Sequence, residues 1–213
     1  MKIVLRIFLL AAIGVLAYMC VQSIVTPITF DKMKKEREEA IAERLIIIRN
    51  AQIGFRNQNE NSVYAGSFEE LQKFLNEYQI PFIIKEGELT DDQLKKGLTE
   101  KEAVKKGLIR RDTTWVLAKD TLLAKGFDVA SIGKVPGFDN HQFHLDTATL
   151  MSPSGYTVPV FEVSVPYDVY LGDLDRQLLI NLKDQREKMK RYSGLKVGSV
   201  TEINNNAGNW ELL

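Results

Sequence analysis

The chain has 213 residues, room for one domain with accessory elements, and its 28 Lys+Arg are matched by 28 Asp+Glu, so no charge imbalance marks it for a nucleic-acid partner. With 45% hydrophobic residues and only 14 Gly and 6 Pro, the composition excludes a chain that is mostly linker or disordered. The single cysteine, Cys20, excludes an internal disulfide framework and any multi-cysteine metal centre.

Residues 7–25, IFLLAAIGVLAYMCVQSIV, carry no charge over the roughly 20 positions that a bilayer core requires, which predicts a transmembrane helix over 7–26 behind a short tip, 1–6. A cleaved secretory signal is the competing reading, because Lys2 and Arg6 make a basic start and Val21 with Ser23 offers a small-residue cleavage pattern. The apolar run is longer than a usual signal core, which favours an uncleaved anchor. Tyr18 and Met19, where a lipoprotein signal has small residues, argue against a lipid on Cys20. Basic residues flank the run on both sides, Lys2 and Arg6 before it and Lys32, Lys34, Lys35 and Arg37 after it. Orientation then rests on the short tip and the long following domain, since long domains translocate largely regardless of charge. The expectation is a single-pass protein of a bacterial inner membrane, N-terminus cytoplasmic and C-terminal domain periplasmic.

From Pro27 the chain turns densely charged, and FDKMKKEREEAIAERLIIIRNAQIGFRNQ predicts a long amphipathic helix over 27–58 that continues the span directly or through a slight kink. The pairs Lys32/Glu36, Lys34/Glu38 and Lys35/Glu39 are spaced to meet on its surface. Ile41, Leu45, Ile48 and Phe55, interrupted by Gln52, form one apolar stripe. Two readings of the stripe stay open: packing on the protein's own sheet, or an intermolecular coiled coil. These four residues, with Trp210, are the candidate interface positions.

Ser67 and Glu70 stand in capping-box spacing ahead of a second helix ending near Tyr78. A hydrophobic N-terminal helix, a long amphipathic helix and then YAGSFEEL resembles the layout of type IV pilins and type II secretion pseudopilins over the first third of the chain. That resemblance implies a filament subunit packing laterally through its span and long helix. The family's prepilin-peptidase motif, Gly followed by Phe-Thr-Leu-x-Glu, has no counterpart, for Gly14 is followed by Val15 and Leu16. Together, AERLIIIRNAQ, YAGSFEEL, RDTTWV, VPVFEVSVPY and NNNAGNWE resemble a family of single-pass membrane proteins from Bacteroidota, which implies membrane anchoring and carries no activity.

Beyond residue 80, IPFIIKEG reads as a short buried strand, and LTDDQLKKGLTEKEAVKKGL as exposed helical turns interrupted at Gly97 and closed at Gly107. TTWVLAKDTLL, FDVASIGKV, HQFHLDTATL and YTVPVFEVSVPY are strand-like, predicting a mainly antiparallel sheet and an α+β fold with flanking helices, all within an extracytoplasmic domain over 59–213. In the last of these, Phe161, Val163 and Val165 share one face, and Pro159 and Pro166 favour an edge or strand ends. DRQLLINLKDQREKMKRY predicts a helix with Leu178, Leu179, Leu182 and Met189 apolar and Gly194 as its stop; a last strand and an Asn-rich turn follow.

Three constellations bear on chemistry. His141 and His144, flanked by Asp139 and Asp146, are metal-ligand types, but on one strand they point to opposite faces and a third ligand at fitting spacing is lacking. Arg110, Arg111 and Asp112 at a strand start read as a surface ion pair or an anion contact. In EINNNAGNWE, an Asn-Gly turn folds Trp210 back onto the core or presents it to a partner. The sequence holds no Gly-rich phosphate loop, Gly-x-Ser-x-Gly elbow or His-Glu-x-x-His pair, while carboxylates paired in space stay open. The preferred reading is a noncatalytic envelope scaffold or assembly subunit, with no cofactor, the membrane and a protein or self-association as partners, and no nucleic acid. A pilin-like filament subunit and an envelope hydrolase or ligand-binding module are the alternatives.

Overall fold

The computed structural model describes residues 2–86 and 110–211; the helical turns expected around Gly97 and Gly107 lie outside them. Helix α1, Lys2–Gln58, is a single helix with Pro27 inside it, about 85 Å long at 1.5 Å per residue. The remaining elements and the C-terminal part of α1 divide between two compact units, 50–132 and 1–49 with 133–213.

The first unit contains the end of α1, α2 (Phe68–Glu77), β1 (Gln79–Glu86), β2 (Arg110–Leu117) and α3 (Ala118–Leu122). Ser67 caps α2 by accepting the Glu70 N–H at 3.2 Å, and the Glu70 carboxylate reaches back to the Gly66 N–H at 2.9 Å, a capping box displaced by one residue. Phe55 and Phe74 meet edge to face, ring centroids 5.3 Å apart. Gly54 lets Leu122 pack close against α1, because a Cβ there would meet a Leu122 methyl, which would have to shift. Gln52, which interrupts the apolar stripe, is fully buried and closes a two-way bond with the Ala65 backbone, donating at 3.0 Å and accepting at 2.9 Å. β1 and β2 pair antiparallel from Gln79↔Leu117 to Glu86↔Arg110 as an isolated two-stranded ribbon. Gln79, Pro81 and, on β2, Trp115 are exposed and Ile80 is half-buried, while the side chains of residues 82–86, on which the expected burial of IPFIIKEG rests, lie outside the described residues.

The second unit adds β3 (Lys134–Val135), β4 (Phe138–Gln142), β5 (His144–Met151), β6 (Thr157–Pro166), α4 (Tyr167–Leu171), α5 (Arg176–Lys188) and β7 (Gly194–Gly198). β5, β6 and β7 form an antiparallel sheet in that order, and β3 and β4 form a small separate ladder. The fold is therefore α+β, with its strands in three sheets among the described residues rather than in one.

Several element boundaries differ from expectation for definable reasons. HQFHLDTATL is split at Phe143, whose buried ring and N–H bond to the Gly133 carbonyl break it into β4 and β5. FDVASIGKV is a 3-10 turn, Val129–Ser131, capped by the Asp128 carboxylate, ahead of the short β3. TTWVLAKDTLL turns helical at Ala118. β6 is the central strand, yet β7 covers it only from Glu162 to Pro166, so Pro159 needs no partner on that side and the missing proline N–H costs nothing. Gly194 starts β7 instead of stopping α5: a Cβ there would lie 2.1 Å from the Val165 carbonyl oxygen, so the strand can approach β6 only without a side chain. Helix α5 ends on Met189, with Lys190 left-handed at φ 54°.

Burial along α1 changes at one place. Every large apolar side chain described up to Ile28 is exposed, whereas Phe30 is buried and Ile41, Leu45 and Ile48 have no exposure at all. That stripe is filled from within a single chain, so it offers no free surface to a second helix.

Replacing Gln52 with leucine should destabilise the protein by about 1–3 kcal/mol although the new side chain is more apolar, because both Ala65 backbone groups lose their partner. Urea unfolding checks this; a Gln52→Leu protein as stable as the parent would show that water or a rearranged backbone satisfies Ala65.

Candidate functional site

Within the second unit, α1, α5, β7 and the C-terminal turn enclose a shallow cleft of about 180 Å³, rimmed by Lys35, Glu38, Glu39, Arg186, Asn209 and Trp210. The turn is built for this position. Asn205 and Asn206 adopt left-handed backbone at φ 53° and 59°, which asparagine tolerates better than most residues. Beyond them the chain pairs with β7: Gly208 bridges Val197, the Asn209 N–H reaches the Lys196 carbonyl at 2.9 Å, and the Asn209 amide both accepts from Lys196 N–H and donates to the Gly194 carbonyl. Trp210 folds back over Gly208, where a Cβ would come within 2.5 Å of the indole. The indole is half-buried, so it is packed and presented at once.

Behind the rim lies a polar cluster. The Tyr170 hydroxyl donates to the Glu38 carboxylate at 3.4 Å, and Arg186 Nε donates to the Tyr167 hydroxyl at 3.1 Å, with the two tyrosine rings 5.7 Å apart, edge to face. Burial pushes the Glu38 carboxyl above the usual carboxylate range, against the opposing pull of Lys34 and Arg186. Burial, with the Glu38 charge adding to it, raises the Tyr170 phenol far above its ordinary value, so it stays a proton donor. Beside the cluster, Arg37 holds the Asp173 carboxylate through both guanidinium arms and donates to the Tyr170 carbonyl at 2.6 Å, its guanidinium 5.2 Å from the Phe138 ring centroid. Its hydrogen bond to Asp173 keeps that carboxyl below the usual range. Arg49 reaches Glu211 at 2.7 Å, tying α1 to the C-terminal turn.

Of the candidate positions read from sequence, only Trp210 reaches this cleft. Ile41, Leu45 and Ile48 are core residues, and Phe55 lies in the other unit against Phe74. His141 on β4 and His144 on β5 are exposed, and among the described residues no group of three His, Cys, Asp or Glu could hold a metal ion. The side chains of Arg110, Arg111 and Asp112 lie outside the described residues, although their backbone opens β2. The Glu38–Tyr170 and Arg186–Tyr167 contacts were not anticipated; the one signal for them was the spacing of Tyr167 and Tyr170, three apart in a short helix and therefore on one face.

Chemically, the rim offers mixed charge and an indole face, suited to a polar group on a partner. The buried phenols do not open to solvent, and their bonds fasten α1 to α4 and α4 to α5. The chain matches no protein-family model, no curated protein and no solved structure.

A carboxyl whose pKa is raised by folding contributes stability in full below its unfolded pKa and loses it as pH rises through the folded one. Glu38→Gln keeps an acceptor for Tyr170, so its thermal midpoint should equal the parent's near pH 4 and exceed it near pH 7. A variant less stable at pH 7 would mean that Lys34 and Arg186 make the ionised form the favoured one. Asp173 works in the opposite sense: its contribution is present above the unfolded carboxylate pKa and is lost as pH falls through its lowered folded value, so Asp173→Asn should cost stability at pH 7 and little in strong acid.

Proposed function

We propose that this is a noncatalytic, membrane-anchored scaffold or assembly subunit that acts through its folded domain. The observation that carries the reading is the division of α1. One helix is long and apolar enough to cross a membrane, and none of its apolar stretch is buried inside the fold. An unbroken apolar surface of this length far exceeds the few hundred Å² a soluble monomer normally leaves in water. At roughly 1.5 Å per residue it also matches the thickness of a bilayer core. A bacterial inner membrane, with the short N-terminal tip in the cytoplasm and the domain in the periplasm, fits the long domain that follows the span.

The scaffold reading draws on the surface the domain presents. Trp210 beside the charged rim and Trp115 on the exposed ribbon are aromatic anchors of the kind protein interfaces favour. Anchoring raises the effective concentration for membrane partners, so weak contacts suffice. A second reading, a pilin-like filament subunit, is favoured by the same helix, because a half-exposed, half-buried α1 also suits lateral packing against copies of itself.

Alkaline carbonate extraction of native membranes, followed by intact-mass measurement, tests the anchor. The full-length mass in the membrane pellet is the expected result. A soluble species shortened by the apolar segment would overturn the reading in favour of a cleaved signal.

A further inference from the structure

We infer that the N-terminal tip of α5, around Leu174–Leu178, is a second membrane contact that rests in the lipid headgroup layer beside the span. The inference takes as given that the apolar half of α1 is inserted in a bilayer.

Two clefts show how α5 lies along α1. Its first turn, Asp175, Gln177 and Leu178, lines a cleft with Tyr18, Met19, Gln22, Ser23, Thr26 and Pro27 of α1. Nine residues later, Arg186 lines a different cleft together with Lys35, Glu38 and Glu39. Helix α5 therefore runs the same way as α1, and its beginning lies back along the apolar half. Were the domain held off the membrane on a stalk, its nearest element would lie beyond Pro27. Instead the tip lies beside residues 18–27, and the deepest of those, Tyr18 and Met19, are six or seven residues inside Val25, the end of the apolar run read from sequence. At 1.5 Å per residue that is about 10 Å along the helix, the depth at which interfacial helices settle at the boundary of headgroups and acyl chains.

The residues at this level suit that layer. Leu174 and Leu178 are half-exposed and Ile180 is exposed, giving apolar contact. Arg176 and Gln177 are exposed beside them, and Tyr18 supplies an aromatic with a polar end, as is common at membrane interfaces. On the α1 side, Gln22 and Ser23 near the end of the stretch and Thr26 just beyond it are polar, and all three line this cleft. Pro27 leaves the Ser23 carbonyl without its helical donor, and a hydrated headgroup layer can supply one. Asp175 is occupied in capping α5, accepting the Leu178 N–H at 2.9 Å, so the tip is already ordered before it meets lipid.

The test uses full-length protein in phosphatidylcholine/phosphatidylglycerol vesicles, with a nitroxide on a single introduced cysteine in a Cys20→Ser background. Gln177→Cys reports the tip, Leu9→Cys the span, and Ser154→Cys, in an exposed turn remote in sequence, the aqueous control. The expected result is a ratio of oxygen to nickel-chelate accessibility at residue 177 several-fold above that at residue 154, with residue 9 higher still. A lipid-like signal at 9 with a water-like signal at 177 overturns this inference and leaves the anchor intact. Water-like signals at both positions overturn the anchor itself, and the inference with it. Dipolar broadening at 177 that disappears on dilution with unlabelled protein would place a second copy, rather than lipid, against the tip.

Discussion

An α-helix is stiff over tens of ångströms, so one helix that starts as uncharged apolar surface and ends as the core of a folded domain makes both parts obey one axis. Everything else follows from α1. Up to Ile28 its described large apolar side chains are exposed; Phe30 is buried, and Ile41, Leu45 and Ile48 are among the most deeply buried residues of their unit. The change takes less than one turn and occurs just after Pro27, with no break in the helix. An anchor joined by a flexible linker leaves its domain free to tumble. If the apolar half of α1 is the anchor proposed above, an anchor that is itself a core element sets which side of the domain faces the bilayer.

Apolar burial alone would leave the helix free to slide or rotate in its groove, and the polar contacts remove that freedom. Arg37 is held by two oxygens of Asp173 and by a backbone carbonyl at the end of α4, Glu38 by the Tyr170 hydroxyl, and Arg49 by Glu211 in the C-terminal turn. Spread over three turns of α1, these contacts specify register more than they add energy, since the Asp173 and Glu211 ends remain partly in water. Raised pKa values at Glu38 and Tyr170 are a by-product of this fastening and need no catalytic explanation.

What could be read from sequence was local. The uncharged run, the long charged helix, the Ser67 cap, the shared apolar face of Phe161, Val163 and Val165 and the Asn-rich turn all depend on residues within a few positions of one another. What could not be read depended on residues far apart in the chain. Gly194 looks like a helix stop until β6 is known to lie against it, Phe143 looks like mid-strand until Gly133 claims its N–H, and nothing local ties Glu38 to Tyr170 across 132 positions. Gln52 appeared to interrupt an apolar stripe; it lies within the stripe, and the Ala65 backbone makes it fit. The candidate site suffered most, because its residues come from α1, α5, β7 and the turn, and of these only Trp210 stands out in sequence.

Continuity of α1 through Pro27 is the claim on which the domain's pose against the proposed anchor and the proposed lipid contact of α5 both rest. Hydrogen exchange of the full chain in lipid nanodiscs, followed amide by amide from Ile24 to Lys34, tests it most directly. A continuous helix predicts protection on both sides of Pro27 that rises without a gap into the buried turns beyond Phe30. Rapid exchange confined to residues 26–32 would reveal a hinge there, and with it a domain that hangs from the membrane in place of one built onto its anchor.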